Sequence, residues 1–251
     1  MSAHSQHVRR SRWWVPLTVV VVAVAVVVAI LVVDRDGEDD ASPSAQDSDS
    51  TGTQGQDAAS DVQGPEQAAF TEAETRDEDD LQAIGPVDAP VVLVVFSDYQ
   101  CPYCATWSHD TLPTMMEYVD SGDMRIEWRD VNVFGDASEQ ASKAAYAAAL
   151  QDSYWEFHDE LFAGGEHRSE SGLSAEALTE TADQLGLDTA QFEEDMESED
   201  TQDMVDVYAQ TGLDLGAFST PTFLVGGEPI VGAQPTDVFV ETVDAALAAQ
   251  D

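Results

Sequence analysis

From Trp13 to Val33 the chain runs 21 residues without a charge, about the number a helix needs to cross a roughly 30 Å hydrocarbon core. The stretch reads as a membrane-spanning helix. Pro16 falls in its first turn, where a missing N–H costs little, and Trp13 and Trp14 suit the interface. A cleaved signal peptide is the alternative, but its apolar core spans about 7 to 15 residues and ends in a small-residue cleavage site. This run is longer and ends Ile-Leu-Val-Val-Asp. Residues 34–80 are rich in Asp, Ser, Gly, Gln and Thr and poor in large apolar groups. They cannot bury enough surface to offset ordering entropy, so they read as a tether, with helical character in the last part, Glu66 to Leu81.

The pattern changes at Gly85. After Pro90, VVLVVF (91–96) is a continuous β-branched run that suits a strand buried on both faces. The turn SDYQCPYC follows, then ATWSHDTLPTMMEYV, which is helical in pattern and interrupted by Pro113. MRIEWRDVNVF (124–134) alternates Met124, Ile126 and Trp128 with polar residues and predicts a second strand. Strand, turn, helix and strand in that order imply a parallel pair joined by a crossover. Residues 136 to about 215 predict three to five helices. Asp136 and Glu139 have capping-box spacing, and Ser174 and Asp188 read as N-caps. Leu173 with Leu178, and Leu187 with Phe192, have hydrophobic-staple spacing, and Gly186 ends the helix between them. TFLVGGEPIVG then predicts a hairpin turning at Gly226-Gly227, and a last helix covers Pro235 to Ala249.

Charge adds orientation and excludes partners. The first 33 residues hold Arg9, Arg10, Arg12 and no acid, so residues 1–12 form a basic stub that belongs in the cytoplasm and the remainder faces outward. Residues 34–80 carry 16 acids and two arginines; residues 81–251 carry 34 acids against Arg125, Arg129, Lys143 and Arg168. The total of -41, with a pI near 4.1, excludes nucleic-acid binding through phosphate contacts. A net charge of -30 on the last domain repels itself unless salt screens it. A high-salt environment is the expectation, and a merely acidic proteome the alternative. Within 193–200, EEDMESED lacks ordered ligand spacing and reads as solvated surface.

Two cysteines build neither a disulfide scaffold nor a four-thiolate zinc site. They stand together as Cys101-Pro102-Tyr103-Cys104, where a buried strand gives way to a helix. A helix N-terminus offers Cys101 free N–H groups and partial positive charge, which stabilise a thiolate nucleophile. Cys104, one turn on, is placed to attack a mixed disulfide, and Pro102 suits the first turn. Zinc sites share this spacing but need two more ligands. No second cysteine pair exists, and only His158 and His167 stand loosely near each other. Redox exchange is the main reading, with zinc and an inert disulfide as alternatives; neither metal nor cofactor is expected. His109 reads as a surface residue and Trp107 as core or rim.

Over residues 83 to 250 the chain resembles the DsbA-like thiol-disulfide oxidoreductases, membrane-anchored members of the thioredoxin fold. The resemblance rests on GPVDAPVVLVVFSDYQCPYC, on the DTLP, YVDSG and RDVNVFG segments, on the helical insertion and on LGAFSTPTFLVGG. It implies an α/β thioredoxin-like domain over 81–251, with the helical insertion between the second strand and the cis-proline hairpin. It also makes Thr220-Pro221 the cis-proline loop that offers backbone groups to an extended substrate. The buried acid that commonly stands six residues before the first cysteine is here Val95. Proton transfer from Cys104 then needs another group or water; Asp98 is nearest in sequence, with a loop-capping role as its alternative. A threonine before the cis-proline suits isomerases as well as oxidases. The expected activity is oxidation of dithiols in unfolded or reduced extracytoplasmic proteins, with reoxidation by a quinone-linked membrane partner. Isomerase or reductase action through the same centre is the alternative, although no separate dimerisation domain is visible. A redox-inactive holdase is the reading from a different class.

Overall fold

The computed structural model describes residues 73–250. The basic stub, the expected membrane helix at 13–33 and the tether up to residue 72 lie outside the described residues. Among the described residues no helix is long and apolar enough to cross a membrane.

A five-stranded mixed sheet forms the centre, made of β1 (Ala83–Ile84), β2 (Val91–Ser97), β3 (Met124–Asp130), β4 (Thr222–Val225) and β5 (Glu228–Val231) in the order β1-β3-β2-β4-β5. The crossover from β2 to β3 is parallel as expected, with Val91 opposite Met124 and Ser97 opposite Asp130; the other pairings are antiparallel. All seven residues of β2 are buried, which suits its β-branched composition. Between β2 and β3 lie α1 (Pro102–Asp110) and α2 (Leu112–Ser121). The helix breaks at Thr111, just ahead of Pro113, which finds room in the first turn of α2.

Five helices follow β3: α3 (Asp136–Ala149), α4 (Tyr154–Leu161), α5 (Ala175–Gln184), α6 (Thr189–Met196) and α7 (Glu199–Asp214). The buried alanines of α3 let α4, α6 and α7 approach it closely. Ser174 and Asp188 cap α5 and α6, each accepting from backbone N–H groups of the first turn. The expected Asp136 cap is corrected: Gly135 occupies that position without a side-chain cap, and Asp136 starts the helix. α8 (Thr236–Ala248) closes the chain and places Phe239 and Val243 against the sheet. Gly226 and Gly227, at φ 55° and 84°, make the β4–β5 turn in the left-handed conformation that favours glycine. In α7, a Cβ on Gly212 would strike the side chains of Val131 and Phe96, so glycine is what lets this helix lie on the sheet.

Three further expectations are corrected. The second strand stops at Asp130 rather than reaching 134, because Asn132 takes a φ of 49° and the chain turns away. The polar residues that alternate along that strand are buried as fully as its apolar ones. The polar face is covered partly by α7 and partly by residues 73–80, which the composition assigned to the tether. Those residues form turns and extended chain rather than helix. Backbone N–H groups of Thr75 and Arg76 donate to the Glu127 carboxylate at 2.9 and 2.7 Å, and Arg76 donates to the carbonyls of Val87 and Ala89. A segment too polar to build its own core is held by complementary charges already buried in β3.

Candidate active site

Val91, Leu93 and Val95 of β2 and Met124, Ile126 and Trp128 of β3 line the sheet face that receives α1. Trp107, 1% exposed, seats the helix there: its ring lies 4.6 Å from that of Phe223, 5.6 Å from Phe239 and 6.2 Å from Trp128. Such aromatic contacts contribute about 0.5–1.5 kcal/mol each beyond area burial. The start of α1 is thereby held at the end of β2.

Cys101 is the N-cap of α1. Its φ and ψ of -82° and 116° are extended, Pro102 follows at the first helical position, and the sulfur accepts from the Cys104 N–H at 3.3 Å. In the thiol form its S–H donates to the Thr220 carbonyl 3.2 Å away. The Thr220-Pro221 peptide is cis, and this 3.2 Å contact sets the loop before β4 against the Cys101 sulfur. Both cysteines are free thiols and buried, whereas Tyr103 between them is 66% exposed. The Cys104 side chain, hydrogen-bonding to Cys101, lowers the Cys101 pKa to about 6. The Thr220 side chain and the backbone N–H groups of Cys104 and Tyr103 add to this, and together they outweigh burial, which acts to raise it. Burial, the hydrogen bond to Cys101 and the nearby Cys101 charge push Cys104 well up. The pair thus favours ionisation at Cys101 and a protonated thiol at Cys104.

Asp98 is fully buried, and its carboxylate accepts from Ser138 Oγ at 2.6 Å and from the backbone N–H groups of Gln100 and Phe134 at 2.8 and 3.1 Å. It clamps the active-site turn to α3 and turns only its backbone N–H toward the Cys104 sulfur. Val95 is packed in the core opposite Trp128. His109 is exposed and lies 2.8 Å from Asp110. His167 is exposed too, but His158 is fully buried among Tyr99, Trp128, Tyr154, Trp155 and Phe162, with neither ring nitrogen paired. Burial lowers its pKa to about 3. Among the described residues no cluster of three or more His, Cys, Asp or Glu side chains is arranged to hold a metal.

Sequence reasoning missed Asp130, a fully buried carboxylate at the end of β3. It sits in the RDVNVFG segment, and the alternation that put Met124, Ile126 and Trp128 on the core face extends to it.

A family model described as Thioredoxin matches residues 77–245. The chain is 29% identical over 151 residues to the "Probable disulfide bond formation protein D" of Bacillus cereus, covering 58% of this chain and 70% of that one. It is 26% identical over 168 residues to disulfide bond formation protein D of Bacillus subtilis, covering 65% and 76%. The crystal structure of oxidised BdbD from Bacillus subtilis superposes with a TM-score of 0.61 at 26% identity, over 66% of this chain and 92% of that one. With this fold, and with a cysteine pair at the start of its first long helix, the chain belongs to the thioredoxin family as a DsbA-like thiol-disulfide oxidoreductase.

Proposed function

We propose that the protein is an extracytoplasmic oxidase that passes a Cys101–Cys104 disulfide to dithiols of secreted or membrane proteins. The observation that carries this reading is the Cys101 sulfur at the N-cap of α1, where it accepts the Cys104 N–H at 3.3 Å. A group that stabilises the thiolate stabilises the reduced enzyme, so its disulfide becomes a stronger oxidant by about 30 mV per tenfold of stabilisation. At pH 7 a fall in pKa from 9.0 to about 6 favours the reduced form about tenfold, because a thiol of pKa 9 is scarcely ionised there, and so corresponds to about 30 mV on that scale. Pro102 and Tyr103 shape the loop, and the Thr220 carbonyl beside cis-Pro221 offers an acceptor to an extended substrate. The uncharged run at 13–33, preceded by Arg9, Arg10 and Arg12, supports a single-pass anchor with the catalytic domain outside the cytoplasm, near a quinone-linked membrane partner that would reoxidise the pair. The acidic balance supports work in concentrated salt.

Equilibration with glutathione tests the direction. A potential near -120 mV, like that of a strong oxidant, supports the proposal, and one near -270 mV, like thioredoxin, replaces it with a reductase. Cys101→Ser abolishes exchange and Cys104→Ala traps mixed disulfides with substrates. Unchanged activity in Cys101→Ser would leave only a redox-inactive holdase.

A further inference from the structure

The sheet face beneath α1 is apolar until its last residue pair. Register sets Val91 opposite Met124, Leu93 opposite Ile126, Val95 opposite Trp128 and Ser97 opposite Asp130. The first three pairs lie in the core with Cys101 and Cys104. A period of two therefore sends Ser97 and Asp130 side by side to that same face, at the end of the sheet where α1 begins.

Asp130 is 2% exposed; Oδ1 accepts from Trp128 Nε1 at 3.1 Å and Oδ2 from Gln82 Nε2 at 3.5 Å. The charged and titratable groups around it are Arg129 on its own strand, Asp98 and Tyr99 in the active-site turn, and Tyr154 on α4. Arg129 is turned to the opposite face, onto Asp80 and Glu127. The Tyr99 and Tyr154 hydroxyls lie 3.5 Å apart and face each other. Burial raises the Asp130 carboxyl to about 7, helped by Asp98 and opposed by the hydrogen bonds from Trp128 and Gln82 and the charge of Arg129. Ser97 is 1% exposed; its hydroxyl closes no hydrogen bond, yet it stands with the Asp98 N–H among the groups around the Cys104 sulfur. A hydroxyl is donor and acceptor at once, as proton passage requires.

We propose that Asp130 is a positioning residue that holds the proton exchanged with Cys104, acting through the Ser97 hydroxyl. In the oxidase direction a substrate thiolate attacks Cys101 Sγ, the Cys101–Cys104 bond breaks, and a substrate–Cys101 disulfide forms. The electron pair leaves on Cys104, which takes the Ser97 hydroxyl proton while Ser97 takes the proton of the Asp130 carboxylic acid. In the reverse direction the Asp130 carboxylate receives the Cys104 thiol proton by the same route, freeing a thiolate to attack the mixed disulfide.

The inference rests on exchange at Cys101–Cys104 in either direction, so wild-type turnover of a dithiol peptide is measured first and tests that reading by itself. The single-turnover rate is then followed from pH 5 to 9. The wild type should show an inflection near 7 in addition to that of Cys101 near 6. Asp130→Asn and Ser97→Ala should each lose the inflection near 7 and slow the step roughly tenfold or more at pH 7, while Asp130→Glu keeps it. An unchanged profile in Asp130→Asn, with an active wild type, overturns the proposal. Should the variant not fold, carboxyl-carbon NMR of the wild type decides. The Asp130 midpoint should differ between dithiol and disulfide forms, and coincident titrations count against the role.

Discussion

Strand β3 presents Arg125, Glu127 and Arg129 on one face and Met124, Ile126, Trp128 and Asp130 on the other, and the two faces treat a buried carboxylate in opposite ways. Burial acts to raise the pKa of Glu127, but the Thr75 N–H, the Arg125 side chain, the Arg129 charge and the Arg76 N–H overcome it and hold the group below its ordinary value. Arg125 Nε lies 3.0 Å from one Glu127 oxygen and Arg129 Nη2 lies 3.3 Å from the other, while Arg129 also reaches Asp80 at 2.6 Å and stacks 4.7 Å above the Tyr208 ring. Asp130 meets two neutral donors and no facing guanidinium, and its pKa rises to about 7. Full pairing makes a carboxylate a fastener; sparse pairing leaves one whose proton can move near neutral pH. Of the five Lys and Arg residues among the described residues, three (Arg76, Arg125 and Arg129) serve the fastening face.

The largest expected effect comes from breaking that face. Glu127→Ala leaves Arg125 and the N–H groups of Thr75 and Arg76 without their acceptor, and removing one partner of a buried ion network typically costs about 3–5 kcal/mol. Urea unfolding should show this loss, and limited proteolysis should cut residues 73–80 before the rest of the domain. A loss below about 1 kcal/mol would mean that the network closes no part of the core.

The opposite face should answer with the opposite sign. Asp130 has a folded pKa raised above its ordinary 3.8, so its contribution is full below about pH 4 and is lost as pH rises through 7. The shift of about three units bounds the cost at about 4 kcal/mol. Asp130→Asn removes the charged form and should be more stable than the wild type at pH 8, with the gap closing toward pH 4, in paired thermal melts. Glu127→Gln should instead be less stable at neutral pH and approach the wild type as pH falls below the ordinary carboxylate value. Equal signs for the two variants would erase the distinction between the faces.

These two faces also mark what the sequence disclosed. Apolar runs of strand length, the Gly226-Gly227 turn and the Ser174 and Asp188 caps are local signals, and they placed the main strands and the insertion. The Cys101–Cys104 pair was equally plain, since its chemistry lies in four consecutive residues. Two-residue alternation in 124–130 marked Arg125, Glu127 and Arg129 as polar positions but left their cover unread, because one strand's pattern does not say what will lie on its polar face. That cover comes from residues 73–80 and from α7, whose Gly212 permits the contact. Asp130 was overlooked because a pattern of two does not say that a carboxylate will stay on the core face, and its register neighbour Ser97 lies on another strand. A two-residue β1 was too short to leave a pattern.

The aromatic face makes a smaller prediction. His158 is neutral when folded and has a pKa lowered to about 3, against an ordinary 6.5. Its contribution is full above 6.5 and is lost as pH falls from there toward 3, because the unfolded chain binds the proton more tightly. At pH 5 this amounts to about 2 kcal/mol. His158→Phe should therefore flatten the stability profile between pH 6.5 and 5, measured by urea midpoints, while leaving the Asp130-dependent fall above pH 5 in place.

Salt gives the smallest and most selective separation. The acidic surface is exposed, so raising salt to about 1 M, where the Debye length is about 3 Å, screens its self-repulsion and should raise the wild-type melting temperature. The Glu127 network is fenced from solvent, with side chains of Glu127, Arg129 and Asp80 at most 4% exposed, and mobile ions cannot enter it. The penalty of Glu127→Ala should accordingly agree within about 0.5 kcal/mol in dilute buffer and in molar salt, the margin within which independent effects add. A penalty that shrinks with salt would place the network in contact with solvent and make β3 a strand with one covered face. A melting temperature that fails to rise with salt would instead remove the case for a saline habitat while leaving the two faces as they are.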